Sequence, residues 1–140
     1  MDLSGNLLNK SVPELFQLKF LKKLSISNNK ISNLYPLPEK LEFLDLSHNL
    51  LCELDLTYMG KLKTLDISFN GVFSLLGLPT QLKYLYAKSN RIESVFEVPR
   101  FKNLLELDLS YNNLNSVKFE KLAQVDSLNL LNLAGNPLEE

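Results

Sequence analysis

One arrangement of apolar and polar positions returns seven times along the chain. Two apolar residues flank a variable one, two more variable positions follow, and then come an asparagine, a free position and a further apolar residue. The seven occurrences read MDLSGNLL, LSISNNKI, LDLSHNLL, LDISFNGV, LYAKSNRI, LDLSYNNL and LNLAGNPL. Their asparagines, Asn6, Asn29, Asn49, Asn70, Asn90, Asn112 and Asn136, lie 23, 20, 21, 20, 22 and 24 residues apart. A period of this length marks a stack of structural units. Pairs such as Leu24 and Ile26, or Leu44 and Leu46, show the two-residue alternation of a strand with one face in a core. The pattern therefore predicts one short parallel strand per unit and seven strands in all.

Other apolar slots complete each unit. Three residues upstream of the strand stand Leu21, Leu41, Leu62, Leu82, Leu104 and Leu128, and past the asparagine stand Ile31, Leu51, Val72, Ile92, Leu114 and Leu138. A later slot holds Leu34, Leu54, Leu75, Val95 and Val117. No unit of this size can bury its apolar face alone, so the core must run from unit to unit. The asparagine sits where the chain turns off the strand and leaves backbone groups inside the wall. A carboxamide, with two donors and an acceptor, satisfies them, and the seven stacked side chains predict a structural ladder.

Between strands the units differ. Ser11-Val12-Pro13-Glu14-Leu15-Phe16 offers a capping serine and an early proline, and Phe119 to Val125 has helical spacing, so both predict short helices. Leu34-Tyr35-Pro36-Leu37-Pro38 and Leu76-Gly77-Leu78-Pro79 predict extended or turn-like paths instead. Strands on one side and thinner segments on the other make the stack curve, with the strands on its concave side.

These frames resemble the leucine-rich repeat over almost the whole chain, with units closest to the intracellular type and two LP-containing units similar to a short type found in bacterial effectors. The resemblance implies an α/β leucine-rich-repeat solenoid, with a parallel sheet on the concave face and short helices, turns and extended segments on the convex face. It places residues 1–140 in a single domain of about seven repeats. Extracellular members usually seal their ends with cysteine clusters, whereas Cys52 is the one cysteine here, so a cytoplasmic location is expected. The sequon Asn9-Lys10-Ser11 points weakly the other way. Neither end shows a cap, which predicts an excerpt of a longer protein and self-association through the uncapped ends.

Composition removes several classes. A net charge of −1, with two arginines among fifteen basic residues, lacks the footprint that nucleic-acid backbones select, so no nucleic-acid partner is expected. Apolar runs stop far below the roughly 20 residues needed to cross a bilayer, so no membrane span is expected. The five glycines form no phosphate loop, and Asp45, Asp66 and Asp108 fall on strands, not in a chelating loop, so no cofactor or metal is predicted. His48 lies near Asp45, Ser47 and Cys52, but the aspartate and serine are this repeat's usual residues and no pocket is implied, so no catalytic residue is assigned.

Partner information must then lie in the outward slots, which align as columns. The first reads Lys23, Phe43, Thr64, Tyr84, Glu106, Leu130, and the second Asp2, Ser25, Asp45, Asp66, Tyr86, Asp108, Asn132. The third is Ser4, Ser27, Ser47, Ser68, Lys88, Ser110, Ala134, and the fourth is Gly5, Asn28, His48, Phe69, Ser89, Tyr111, Gly135. Aspartate and serine in the middle columns are common in the family and read as solvated structure. The fifth repeat breaks the pattern with Tyr84, Tyr86 and Lys88. Together with Phe43, His48, Phe69 and Tyr111 these define a candidate partner-binding patch, since exposed aromatics are enriched where partners dock. Against it stands the reading that Phe69 and Tyr111 fold back to cover the asparagine ladder. The expected function is a non-enzymatic scaffold or signalling module that binds a protein or peptide on the concave face. The alternative is a regulatory segment of a larger signalling enzyme, such as a phosphatase, cyclase, kinase or ligase.

Overall fold

Each repeat enters the sheet through three residues, a length set by the single core position between two outward ones. In the computed structural model, which describes residues 1–139, the strands are β1 (Lys23–Ser25), β2 (Phe43–Asp45), β3 (Thr64–Asp66), β4 (Tyr84–Tyr86), β5 (Glu106–Asp108) and β6 (Leu130–Asn132). They form one parallel sheet in sequence order. In β1 to β5 the middle residue is buried, while the two beside it are exposed or partly buried. The register is the one the columns predict: Lys23, Phe43, Thr64, Tyr84, Glu106 and Leu130 stand opposite one another, as do Ser25, Asp45, Asp66, Tyr86, Asp108 and Asn132.

Six strands form, not seven. Beside β1 the first repeat forms a single parallel bridge, Asp2 to Ser25, with Leu3 donating to the Ser25 carbonyl at 2.8 Å, and a second bridge, Lys10 to Asn33, lies past its turn. Ser25 also donates to the Met1 carbonyl at 3.1 Å and Gly5 to the Ser27 carbonyl at 3.0 Å, so this segment follows the path of the sheet with a shorter pairing than β1 to β6. Leu138 differs as well: it remains 41% exposed where the equivalent Ile31, Leu51, Val72, Ile92 and Leu114 are fully buried. No described repeat lies beyond it to cover it.

The segments between strands follow the prediction in outline. A 3-10 helix spans Pro13–Gln17, α1 spans Phe119–Leu122, and residues 34–38 and 76–79 are not helical. Ser11 does not cap the first helix. Its Oγ instead accepts the Tyr35 backbone N–H at 2.6 Å and donates to the Tyr35 carbonyl at 3.4 Å, tying the first repeat to the second from a fully buried position. A 3-10 turn at Val98–Arg100, with Pro99 early in it, was not anticipated. Gly77 is needed for a close approach: a Cβ there would stand 1.6 Å from the Leu54 carbonyl oxygen, beside the point where Leu56 donates to the Gly77 carbonyl at 2.7 Å.

Leucine, isoleucine, valine, Met59, Ala87 and Phe101 side chains from every inner repeat make one continuous core. The asparagines lock its wall. In each inner repeat the carboxamide nitrogen donates to the carbonyl three residues back and to the matching carbonyl of the preceding repeat; for Asn70 these are Ile67 at 3.1 Å and Leu46 at 3.0 Å. The carboxamide oxygen accepts an N–H of the preceding repeat, here Leu51 at 3.0 Å. The same three links recur at Asn29, Asn49, Asn90 and Asn112. Asn6, in the first repeat, is exposed and bonds only to the Leu3 and Ser4 carbonyls of its own turn. Asn136 completes the series by accepting from Leu114 and donating to Leu109 and Leu133.

Asn70→Leu leaves the Leu51 N–H and two carbonyls without their partner and should lower stability by about 1–3 kcal/mol. The check is a thermal or urea melt, in which a variant indistinguishable from the parent contradicts the ladder.

Candidate functional site

The outward columns lie on the sheet face, one residue per strand, so neighbours in a column stand about 4.8 Å apart. Aspartates of the second column are tied to the turn that follows. Asp45 Oδ1 accepts the Ser47 N–H at 2.9 Å and its hydroxyl at 2.7 Å, and Asp108 Oδ1 accepts the same pair from Ser110 at 2.8 and 2.6 Å. Asp66 accepts the Ser68 N–H at 2.8 Å. Burial pushes the Asp66 carboxyl up, and the Ser68 hydrogen bonds oppose the shift. These side chains thus have structural partners, as their column's regularity implied.

The fourth column carries a constraint that the sequence reading missed. Asn28, His48, Phe69, Ser89 and Tyr111 all have φ between +52° and +57°, and Gly5 and Gly135 have φ of +67° and +71°. Each precedes a ladder asparagine, and the left-handed turn brings that carboxamide inward. Side chains rarely adopt this region, at about 1–2 kcal/mol per residue, and glycine and asparagine do so most readily. The signal was in the column itself, since Gly5, Asn28 and Gly135 are residues that tolerate such a turn.

This geometry lines up the rim. The His48 and Phe69 rings stack with centroids 4.2 Å apart and planes 12° apart. Ser89 then leaves a gap in the aromatic series, and Lys88 fills it: its ammonium lies 5.7 Å from the Phe69 ring centroid and 5.3 Å from that of Tyr111. Tyr111 in turn lies against Gly135, where a Cβ would stand 2.6 Å from Cδ1 of the ring. Phe69 stays 41% exposed and Tyr111 57% exposed while taking part in this run.

On the floor of the sheet, Tyr84 and Tyr86 flank the buried Leu85. Tyr86 stands between Asp66 and Asp108 in register, and its hydroxyl donates to Glu106 Oε2 at 2.8 Å. Glu106, which the sequence reading did not single out, therefore orients the patch's central side chain. Burial and this hydrogen bond, with the nearby negative charges, push the Tyr86 phenol up to about 12. Phe43, 37% exposed, shares a column with Tyr84 but is separated from it by Thr64. The predicted residues therefore fall into a rim group of His48, Phe69, Lys88 and Tyr111, a floor pair of Tyr84 and Tyr86, and the outlying Phe43.

No relay joins Asp45, Ser47 and His48, because Ser47 donates to Asp45 and the imidazole is stacked on Phe69. Among the described residues no three His, Cys, Asp or Glu side chains are grouped to hold a metal ion, and no helix is long and apolar enough to cross a membrane.

A family model described as Leucine Rich Repeat matches residues 40–62 and 103–124. Solved structures agree in fold over most of the chain. YopM from Yersinia enterocolitica is 29% identical with a TM-score of 0.68, covering 98% of this chain and 33% of its own. An internalin, inlF, from Listeria monocytogenes is 22% identical with a TM-score of 0.73, covering 94% and 46%. TLR13, solved in a complex with ssRNA13, is 24% identical with a TM-score of 0.86, covering 99% and 22%. The chain thus spans less than half the length of each. Comparison with curated proteins gives no match. With its repeats, its six-stranded parallel sheet and these likenesses, the chain has the leucine-rich-repeat solenoid fold, one that commonly serves as a protein-interaction scaffold.

Because the Tyr86 pKa is raised in the folded state, its contribution to stability is fully present below pH 10 and is lost as pH rises through about 12. An absorbance titration of phenolate should show two of the five tyrosines ionising late, Tyr86 and Tyr58, which burial also pushes up. Glu106→Gln should bring the Tyr86 titration back towards pH 10.

Proposed function

We propose that this chain is a binding module whose concave sheet face docks a protein or peptide partner through Tyr84, Tyr86 and Lys88, with Phe43 and the rim residues His48, Phe69 and Tyr111 around them. One observation carries the reading. In the fifth repeat the solvated Asp and Ser positions become Tyr86 and Lys88, and those two side chains are held, one by Glu106 and the other between Phe69 and Tyr111. A tyrosine and a lysine fixed beforehand lose little rotamer freedom on docking, and rigid aromatic anchors are what interface hot spots consist of.

The RNA in the TLR13 complex makes nucleic acid the competing ligand class. Carboxylates Asp66 and Asp108 on both sides of Tyr86 oppose a phosphate backbone there and favour a polypeptide. The one cysteine, Cys52, is exposed and unpaired, which supports a reducing, intracellular setting.

Pull-downs with the parent and with a Tyr84→Thr, Tyr86→Asp, Lys88→Ser variant, read by mass spectrometry and followed by affinity measurement on the recovered protein, test the placement. The variant should bind at least about tenfold more weakly, since a single interface anchor contributes on the order of 1–2 kcal/mol. Equal binding by a variant with the parent's melting temperature removes the patch from the interface.

A further inference from the structure

A second surface lies along the margin where the chain enters each strand. Residues 19–23, 39–43, 60–64 and 80–84 hold seven lysines against two glutamates, in a chain whose net charge is −1. The backbone stacks these segments directly. Glu42 and Phe43 both donate to the Lys22 carbonyl at 2.8 and 3.1 Å, Lys63 and Thr64 both donate to Glu42 at 2.9 and 3.1 Å, and Lys83 and Tyr84 both donate to Lys63 at 2.9 and 3.0 Å. Lys22, Glu42, Lys63 and Lys83 therefore occupy one position on four successive turns, about 4.8 Å apart.

Glu42 is the sole acid in that line. Its carboxylate is shared by Lys22 at 3.6 Å and Lys63 at 3.4 Å, the only ion pairs among the described residues. The Lys63 ammonium holds the Glu42 carboxyl below its ordinary range. Among the described residues, Lys23, Lys40, Lys61 and Lys83 have no carboxylate within ion-pair distance.

At the start of the same margin is an apolar cavity of about 330 Å³ lined by Phe16, Lys19, Phe20, Glu39 and Lys40. Phe20 is 83% exposed, and its ring lies 4.8 Å below the Lys40 ammonium. Its equivalents on the next two turns are Lys40 and Lys61, followed by Gln81 and Asn103, so Phe20 is the aromatic at a position that is otherwise polar.

We propose that this lysine margin is a docking site for an acidic polypeptide segment, with carboxylates seated on the Lys22–Lys63–Lys83 line and an apolar side chain in the Phe16–Phe20 cavity. Charge complementarity sets the occupant. Neighbouring ammonium groups with few carboxylates among them repel one another, and an incoming acid relieves this as Glu42 already does for two of them. A polypeptide fits better than a nucleic acid on two counts. Both arginines, Arg91 and Arg100, lie off this margin, so it lacks the planar fork best suited to phosphate. Moreover, Asp45, Asp66 and Glu106 in the adjoining columns confine an acidic ligand to the margin, which suits a short acidic segment more than an extended phosphate backbone. The Lys22–Lys63–Lys83 line and the Phe16–Phe20 cavity share no residue with the aromatic patch, although Phe43 and Tyr84 end two of these segments.

Fluorescence anisotropy of the chain with a fluorescein-labelled glutamate-rich peptide carrying one phenylalanine tests this. Controls are the same peptide with lysine for glutamate, with serine for phenylalanine, and a single-stranded uridine RNA of equal length. The acidic peptide should bind in a salt-sensitive manner, and the lysine peptide should not. Lys63→Glu with Lys83→Glu should weaken binding at least tenfold, on the order of 0.7 kcal/mol or more per lysine, and Glu42→Gln should tighten it. Phe20→Ser should abolish the preference for phenylalanine over serine in the peptide. Absence of binding, unchanged affinity in a folded Lys63→Glu, Lys83→Glu variant, or tighter binding of the RNA overturns the proposal. Should that variant unfold, unchanged or weaker binding by Glu42→Gln overturns it on its own.

Discussion

The asparagine carboxamide is the interaction on which the rest of this structure depends. A strand of three residues makes too few sheet bonds to define itself, and the chain then turns sharply with its amide groups facing a hydrocarbon wall. One side chain per repeat resolves this by binding its own turn and the turn before it. A backbone group left bare at that depth would cost about as much as a whole strand contributes in net hydrogen bonding. The leucines supply the driving force for stacking, but they do not determine the spacing. It is the carboxamide, bridging neighbouring turns at fixed distances, that aligns the strands and therefore the columns.

From this constraint follows the placement of everything with room to vary. The residue before each asparagine must adopt a positive φ, which sets the side chains of His48, Phe69 and Tyr111 along the rim, the first two stacked and the third reached through Lys88. Strand residues on either side of the buried leucine must face out, which puts Tyr84 and Tyr86 on the sheet face. The segment ahead of each strand must stack as well, which lines up the lysines of repeats two to five. A frame so strict converts single substitutions in a repeat into single marks on a surface. Deviations from the repeat then stand out against it, as Tyr86 does where neighbours have aspartate and Lys88 where they have serine.

Much of the fold was legible because periodicity reports stacking directly. Parallel strands, their register, the core slots and the role of the asparagines all follow from Leu24, Ile26, Asn29, Ile31 and their equivalents. What escaped the sequence concerns particular contacts. Ser11 stands where a helix cap belongs, yet buried alignment with Tyr35 offered it a better partner than the short helix did. The first repeat follows the same path but reaches the sheet through the single bridge of Asp2 to Ser25, where the columns predict a full strand. In the candidate site, the columns located each aromatic correctly, but its environment depends on side chains from other repeats. Lys88 reaching into the gap at Ser89, Glu106 holding Tyr86, and Glu42 shared by two lysines are all contacts between residues about twenty apart, invisible to any local pattern.

Native-state hydrogen exchange addresses the central claim most directly. The amides of Ile31, Leu51, Val72 and Ile92 lie outside the strands, yet each donates to the carboxamide oxygen of the next repeat's asparagine. If the ladder aligns the stack, these four amides exchange as slowly as those of Leu65 and Leu85 in the sheet and open with them in one cooperative unit. Exchange at the rate of an ordinary surface turn, with the strands still protected, would show that the leucine core holds the coil together without the asparagines.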